Sequence, residues 1–259
     1  MRVIAAFAAL AVACNQDILV GADPVDGGVV KDAAAESDGG LAPLVVPWST
    51  GFEDGFGDWS EPSGGGFCYE MGTGAKFAIV TSPVHSGAHA AAFTIDTAAA
   101  APSQTRCVRE GVLPSVAYYG AWYYVPAPTT SFGWNLFHFQ GASSPTADVE
   151  DLWDVSMAPG SDGSFTLSVY DFIRARTLMT TPTVPIDTWF HLEARLKPSA
   201  TTAGRFTVYL DGAAILDLTG LETDGTRWGQ WYVGNYATAL LPAPTTVYVD
   251  DVTIATTGP

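Results

Sequence analysis

The sequence predicts an all-β protein, a two-sheet antiparallel β-sandwich of jelly-roll type. Three observations carry that expectation. From Trp48 onward apolar residues recur with period two, which places them on one face of half-buried strands. Turn clusters such as Pro159-Gly160-Ser161-Asp162-Gly163 and Pro126-Ala127-Pro128-Thr129 separate those segments. No amphipathic run of helical period is long enough to form an element, so many short strands fill one block of chain.

The clearest strand is Trp189 to Lys197: Phe190, Leu192, Ala194 and Leu196 point one way, and His191, Glu193, Arg195 and Lys197 the other. Arg205 to Asp211 puts Phe206, Val208 and Leu210 on one face, turns at Asp211-Gly212, and returns as Ala214 to Leu218. The remaining candidates, in chain order, are 67–71, 77–82, 89–95, 104–109, 117–125, 134–140, 152–157, 164–172, 230–236 and 246–255. On 134–140 strict alternation groups Trp134, Leu136, His138 and Gln140. On 230–236 it groups Gln230, Tyr232, Gly234 and Tyr236, provided the alternation continues through Asn235.

The segment before this block reads as an address and a tether. Arg2, then the apolar run Val3 to Ala13, then Cys14 has the pattern of a secretory signal over residues 1–13. Ala11-Val12-Ala13-Cys14 resembles a bacterial lipobox, although Ala11 stands where Leu is usual. That resemblance implies an exported protein, lipidated on Cys14 and held at the outer membrane or cell surface by acyl chains alone. Residues 15–47 carry Gly, Ala, Asp and Pro, with no aromatic residue, and read as an acidic tether. Residues 48–259 form the single folded domain.

Composition excludes several roles. The chain of 259 residues has 11 Lys and Arg against 27 Asp and Glu, a net charge of −16. Too few cations are available to displace counterions from nucleic acid. The predicted domain alone holds 21 acidic and 9 basic residues, which favours a neutral polysaccharide over a polyanion as the partner of a monomeric protein. Eight Trp, ten Tyr and thirteen Phe rule out wholesale disorder. Once Cys14 is set aside, Cys68 and Cys107 remain: a disulfide in an oxidising compartment, or two separate buried thiols.

Trp189-Phe190-His191-Leu192-Glu193 followed by Val208-Tyr209-Leu210-Asp211-Gly212 resembles the strand and hairpin order of concanavalin A-like lectin/glucanase jelly rolls. Trp134-Asn135-Leu136-Phe137-His138-Phe139-Gln140 and Trp231-Tyr232-Val233-Gly234-Asn235-Tyr236 resemble its secreted polysaccharide-lyase branch, near laminin G-like domains. The lyase resemblance implies β-elimination on a uronate. Arg106 and Gln140 would neutralise the carboxylate, with His138 and Tyr236 as base and acid. The chain departs from the lyase pattern, since Gln-x-His is reversed to His138-Phe139-Gln140. The paired-carboxylate strand Glu-x-Asp-x-(x)-Glu of the retaining glucanases is missing too.

Two further groups of residues could carry function. Glu53 or Asp54, near the start of the domain, and Asp250 or Asp251, near its end, would meet if the first and last strands lie side by side. Glu53 and Asp250 then form a structural Ca²⁺ site, or are exposed turn acids. Tyr118, Tyr119, Trp122, Tyr123 and Tyr124 crowd one strand, and a β-sandwich core takes up most such rings. Trp153, Tyr170, Trp228 and Tyr236 are the aromatic residues expected to face a sugar. The leading expectation is a surface lipoprotein whose jelly roll binds polysaccharide. A uronate-cleaving lyase is the alternative, and a structural or adhesive protein the second alternative.

Overall fold

The structure is a computed structural model describing residues 43–60, 65–126, 129, 131, 133–160, 162–226 and 228–258. Cys14 and most of the predicted tether fall outside the described residues. Among the described residues fifteen strands form two antiparallel sheets. The first, eight-stranded sheet runs β13 (Ala213–Leu221), β12 (Gly204–Leu210), β11 (Trp189–Lys197), β6 (Ala117–Tyr124), β15 (Thr245–Ala255), β4 (Ala90–Ile95) and β3 (Ala75–Val80). The short β1 (Trp48–Thr50) pairs with β15. The second, seven-stranded sheet runs β10 (Arg176–Thr183), β9 (Phe165–Asp171), β8 (Glu150–Pro159), β7 (Gly133–Ala142), β14 (Trp228–Thr238), β5 (Ser103–Gly111) and β2 (Gly66–Met71). Each sheet combines runs of sequential hairpin neighbours with pairs distant in sequence, such as β6 with β15 and β7 with β14, as Greek-key winding requires.

The inner faces meet in one aromatic-rich core. Tyr119 and Tyr123 from the first sheet pack edge-on against Trp231, Phe137 and Phe139 from the second. Tyr123 Oη donates across the sandwich to the Leu136 carbonyl at 3.0 Å. Asn235 crosses in the other direction, its Nδ2 donating to the carbonyls of Phe93 and Thr245. A buried amide with its donors engaged holds the two sheets in one register. Arg109, fully buried on β5, donates to the Trp59 carbonyl and lies against the Trp48 ring, tying the start of the domain to the second sheet.

Two strands were not expected from the sequence. β10, Arg-Thr-Leu-Met-Thr-Thr-Pro-Thr, buries only Thr180 and has no apolar alternation, because it is an edge strand that tolerates Pro182. β1 has three residues, too few to show a period. The alternation expected on 134–140 also breaks. A bulge between Asn135 and Phe137 puts Trp134, Leu136 and Phe137 in the core and leaves His138 and Gln140 on the opposite face. On β14 the condition on Asn235 holds: its side chain points inward, so Gln230, Tyr232 and Tyr236 point outward.

Candidate functional site: the outer face of the seven-stranded sheet

Registry brings the candidate residues together on this outer face. Tyr232 lies opposite His138, Gln230 opposite Gln140, Gly234 opposite Arg106, and Tyr69 of β2 opposite Arg106 on its other side. Gly234 at φ 141° has no room for a side chain, since a Cβ there would meet the Thr105 carbonyl at 2.5 Å. That bare backbone lets the guanidinium of Arg106 lie against the rings of Tyr236 and Tyr232, at 4.7 Å and 5.6 Å from their centroids. Arg106 Nη2 donates to Asn135 Oδ1 at 2.6 Å, so an amide rather than a carboxylate holds it.

A chain of hydrogen bonds crosses four strands. Gln230 Nε2 donates to Glu110 at 2.8 Å, and Gln140 Nε2 donates to Asp151 at 2.6 Å. With both amide nitrogens drawn to carboxylates, both amide carbonyls converge on Tyr232 Oη, at 2.5 Å for Gln140. Burial, more than any neighbouring charge, pushes the Tyr232 phenol well above its ordinary range. Tyr232 is therefore a fixed hydrogen-bond donor.

His138 is not the free base that the lyase resemblance implies. Its Nδ1 meets Asp154 at 2.5 Å and its Nε2 meets Asp151 at 3.2 Å. Burial opposes its charge, but the Asp154 carboxylate and the bonds to both aspartates outweigh that cost and raise its pKa. With both ring nitrogens held against carboxylates, neither is open to take a proton from a substrate. Asp151 and Asp154, which the sequence reading left without a role, fix that state. Their positions on β8 held no signal, because a bulge between Phe139 and Gln140 sets the pairing that brings them to the imidazole.

The aromatic candidates divide. Trp153 is fully buried: it stacks on Phe206 at 4.4 Å, and its Nε1 donates to the Thr223 carbonyl, so it belongs to the core. Trp228 is buried as well and offers no face to a ligand. Tyr170 and Tyr236 are half-buried on the outer face. Tyr119 and Tyr123 are core residues, while Tyr118, Trp122 and Tyr124 line the outer face of the other sheet. There the ring of His85 stacks on Trp122 at 3.8 Å, and Tyr124 donates to Asp187.

The two carboxylates expected to share a Ca²⁺ ion have other partners. Glu53 accepts the N–H groups of Ala88 and His89, which lower its pKa. Asp250 Oδ2 accepts those of His85 and Ser86, and its Oδ1 that of Asp251. Together they anchor the segment before β4. Among the described residues no three His, Cys, Asp or Glu side chains are grouped to hold a metal ion.

Cys68 and Cys107 form a disulfide between directly paired positions of β2 and β5. It pins the strand that carries Phe67, Tyr69 and Met71 beside Gln104 and Arg106, and Tyr69 Oη donates to Gln104 at 2.7 Å. Those three β2 residues were not among the sequence candidates. Their spacing at alternate positions was visible, but nothing in the sequence said which face they take.

The chain resembles several solved structures. An endo-β-1,4-glucuronan lyase from the fungus Trichoderma reesei superposes with a TM-score of 0.55 at 16% identity, over 74% of this chain and 90% of that one. The cellulose-induced protein Cip1 gives 0.55 at 16%, over 81% and 97%. A PL-14 alginate lyase from Aplysia kurodai gives 0.52 at 12%, over 81% and 98%. The chain shares with these structures a two-sheet jelly-roll β-sandwich fold. No family model and no curated protein sequence matches the chain. At these identities the likeness concerns the jelly roll itself, and its chemistry has to be argued from the residues on its face.

One titration elsewhere in this jelly roll has a measurable consequence. Glu193, on the outer face of the eight-stranded sheet, is nearly buried, has an Oε1 without a hydrogen-bond partner, and is pushed up to about 7 by burial alone. A carboxyl raised from 4.5 in this way holds its proton longer in the folded state, so stability falls as pH rises from 4.5 to 7 and is level above. Glu193→Gln is expected to remove that fall and to be more stable by about 3 kcal/mol at pH 8, measured by urea unfolding at pH 4.5 and pH 8. Equal pH dependence in both proteins would contradict it.

Proposed function

We propose that the jelly roll binds a polysaccharide along the outer face of its seven-stranded sheet. One observation carries this reading: the run Glu110, Gln230, Tyr232, Gln140, Asp151, His138 and Asp154 forms a single hydrogen-bonded row on one face. Amides and phenols fixed in position match sugar hydroxyls, which both donate and accept, and half-buried Tyr69, Tyr170 and Tyr236 offer rings to sugar C–H faces. Three carboxylates against Arg106 and His138 favour a neutral chain over a polyanion.

A second reading, β-elimination on a uronate, is favoured by Arg106. Among the described residues no carboxylate pairs with its guanidinium, which lies beside half-exposed Tyr236. Glucuronan and alginate lyases among the structural neighbours are in keeping with that reading. Such an enzyme would draw on Tyr236 for proton transfer, since both nitrogens of His138 are taken.

Calorimetric titration with β-glucan, xylan, glucuronan and alginate, alongside ultraviolet detection of unsaturated uronyl ends, separates the two. Binding is expected without unsaturated product, with affinity falling at least about tenfold, or 1.4 kcal/mol, in Tyr236→Ala. Unsaturated ends would establish the lyase, and no binding to any of the four would defeat both readings.

Export and lipidation at Cys14 complete the proposal: a surface protein held at a membrane by acyl chains. Mass spectrometry of the mature N-terminus is expected to find a diacylglyceryl thioether on Cys14, and an unmodified thiol would overturn it. Because Glu53 and Asp250 are assigned to anchoring the segment before β4, EGTA is expected to leave the melting temperature unchanged. A fall would restore calcium to the account.

A further inference from the structure

Three of the five large apolar side chains exposed among the described residues lie at the edges of the same sheet. Phe67 and Met71 are 42% and 37% exposed on β2, and Met179 is 57% exposed on β10. Registry puts all three on the outer face. Phe67 and Met71 pair with Val108 and Gln104, which flank Arg106 at alternate positions, and Met179 pairs with Ser168, two residues from Tyr170 on β9. Exposed apolar groups on edge strands invite unwanted pairing, and proteins ordinarily replace them with charge. Here both edges keep them, and between them lies the polar hydrogen-bonded row.

We propose that the polysaccharide lies across the strands from β2 to β10, with Phe67, Tyr69 and Met71 forming one end subsite and Tyr170 and Met179 the other. This rests on the reading of the face as a glycan site and adds the direction and length of the bound chain. Six inter-strand spacings of 4.7–4.9 Å span about 29 Å, roughly the length of five or six pyranose residues in an extended chain. The ligand is therefore an extended glycan with flat, unbranched residues. Its end sugars stack on apolar rims, and its central sugars bond to Gln140, Gln230 and Tyr236.

The test is affinity against chain length, using cello-oligosaccharides and β-1,4-glucuronan oligosaccharides from dimer to octamer, with the parent polymers as reference. Affinity is expected to climb up to the hexamer and then level off. Phe67→Ala and Met179→Ala, both at exposed positions that leave the fold intact, should each reduce hexamer affinity at least about fivefold while leaving trimer affinity nearly unchanged. A polymer that binds, with affinity already level at the trimer or with both variants silent, overturns the crossing geometry and spares the binding reading. Binding of no oligomer and neither polymer overturns both.

Discussion

Trp153→Ala is expected to cost about 3–5 kcal/mol of folding stability and to leave polysaccharide affinity of the folded fraction unchanged. The indole is fully buried against Phe206 and carries a hydrogen bond to Thr223, so truncation opens a cavity between the sheets and strands a carbonyl. Chemical denaturation gives the first quantity, and titration below the onset of unfolding gives the second. A stable variant with lost affinity would return Trp153 to the ligand face.

Removal of the Cys68–Cys107 disulfide is the second large effect. The bond closes a loop of sequence separation 39, and releasing it adds entropy to the unfolded chain worth about 4 kcal/mol. The functional consequence follows from where the bond lies. Among the described residues β2 pairs only with β5, at the edge of the sheet, and it carries Phe67, Tyr69 and Met71. The double variant Cys68→Ala/Cys107→Ala, or the reduced protein, should unfold at lower denaturant and lose hexamer affinity even where it remains folded. Unchanged stability together with unchanged affinity would contradict both the energetic and the positional role.

The two-sheet fold was legible because period-two burial is a direct consequence of one dry and one wet strand face. β9 follows it residue by residue, and β11 and β12 follow it except at Glu193 and Thr207, which are buried on the polar face. The failures have local causes. β10 buries almost nothing and so leaves no period, and the β7 bulge shifts one residue of register, which reverses the face of Trp134 and Leu136 relative to His138. For the site, strand pairing brings Arg106, His138, Gln140 and Tyr236 together on one face of the second sheet. Their chemistry was not legible. That His138 is locked depends on Asp151 and Asp154 from another strand, and that Trp153 is core depends on Phe206 from the other sheet. The apolar rims were invisible because edge position is a property of sheet order, which no local pattern encodes.

Hydroxyl-radical footprinting in the presence of a bound polysaccharide tests the central claim most directly, because it reports which face the glycan covers. Protection should fall on Phe67, Tyr69, Tyr170, Met179 and Tyr236, with Tyr118, Trp122 and Tyr124 on the other sheet unchanged. Protection of Tyr118, Trp122 and Tyr124 instead, or of neither set, would contradict the account.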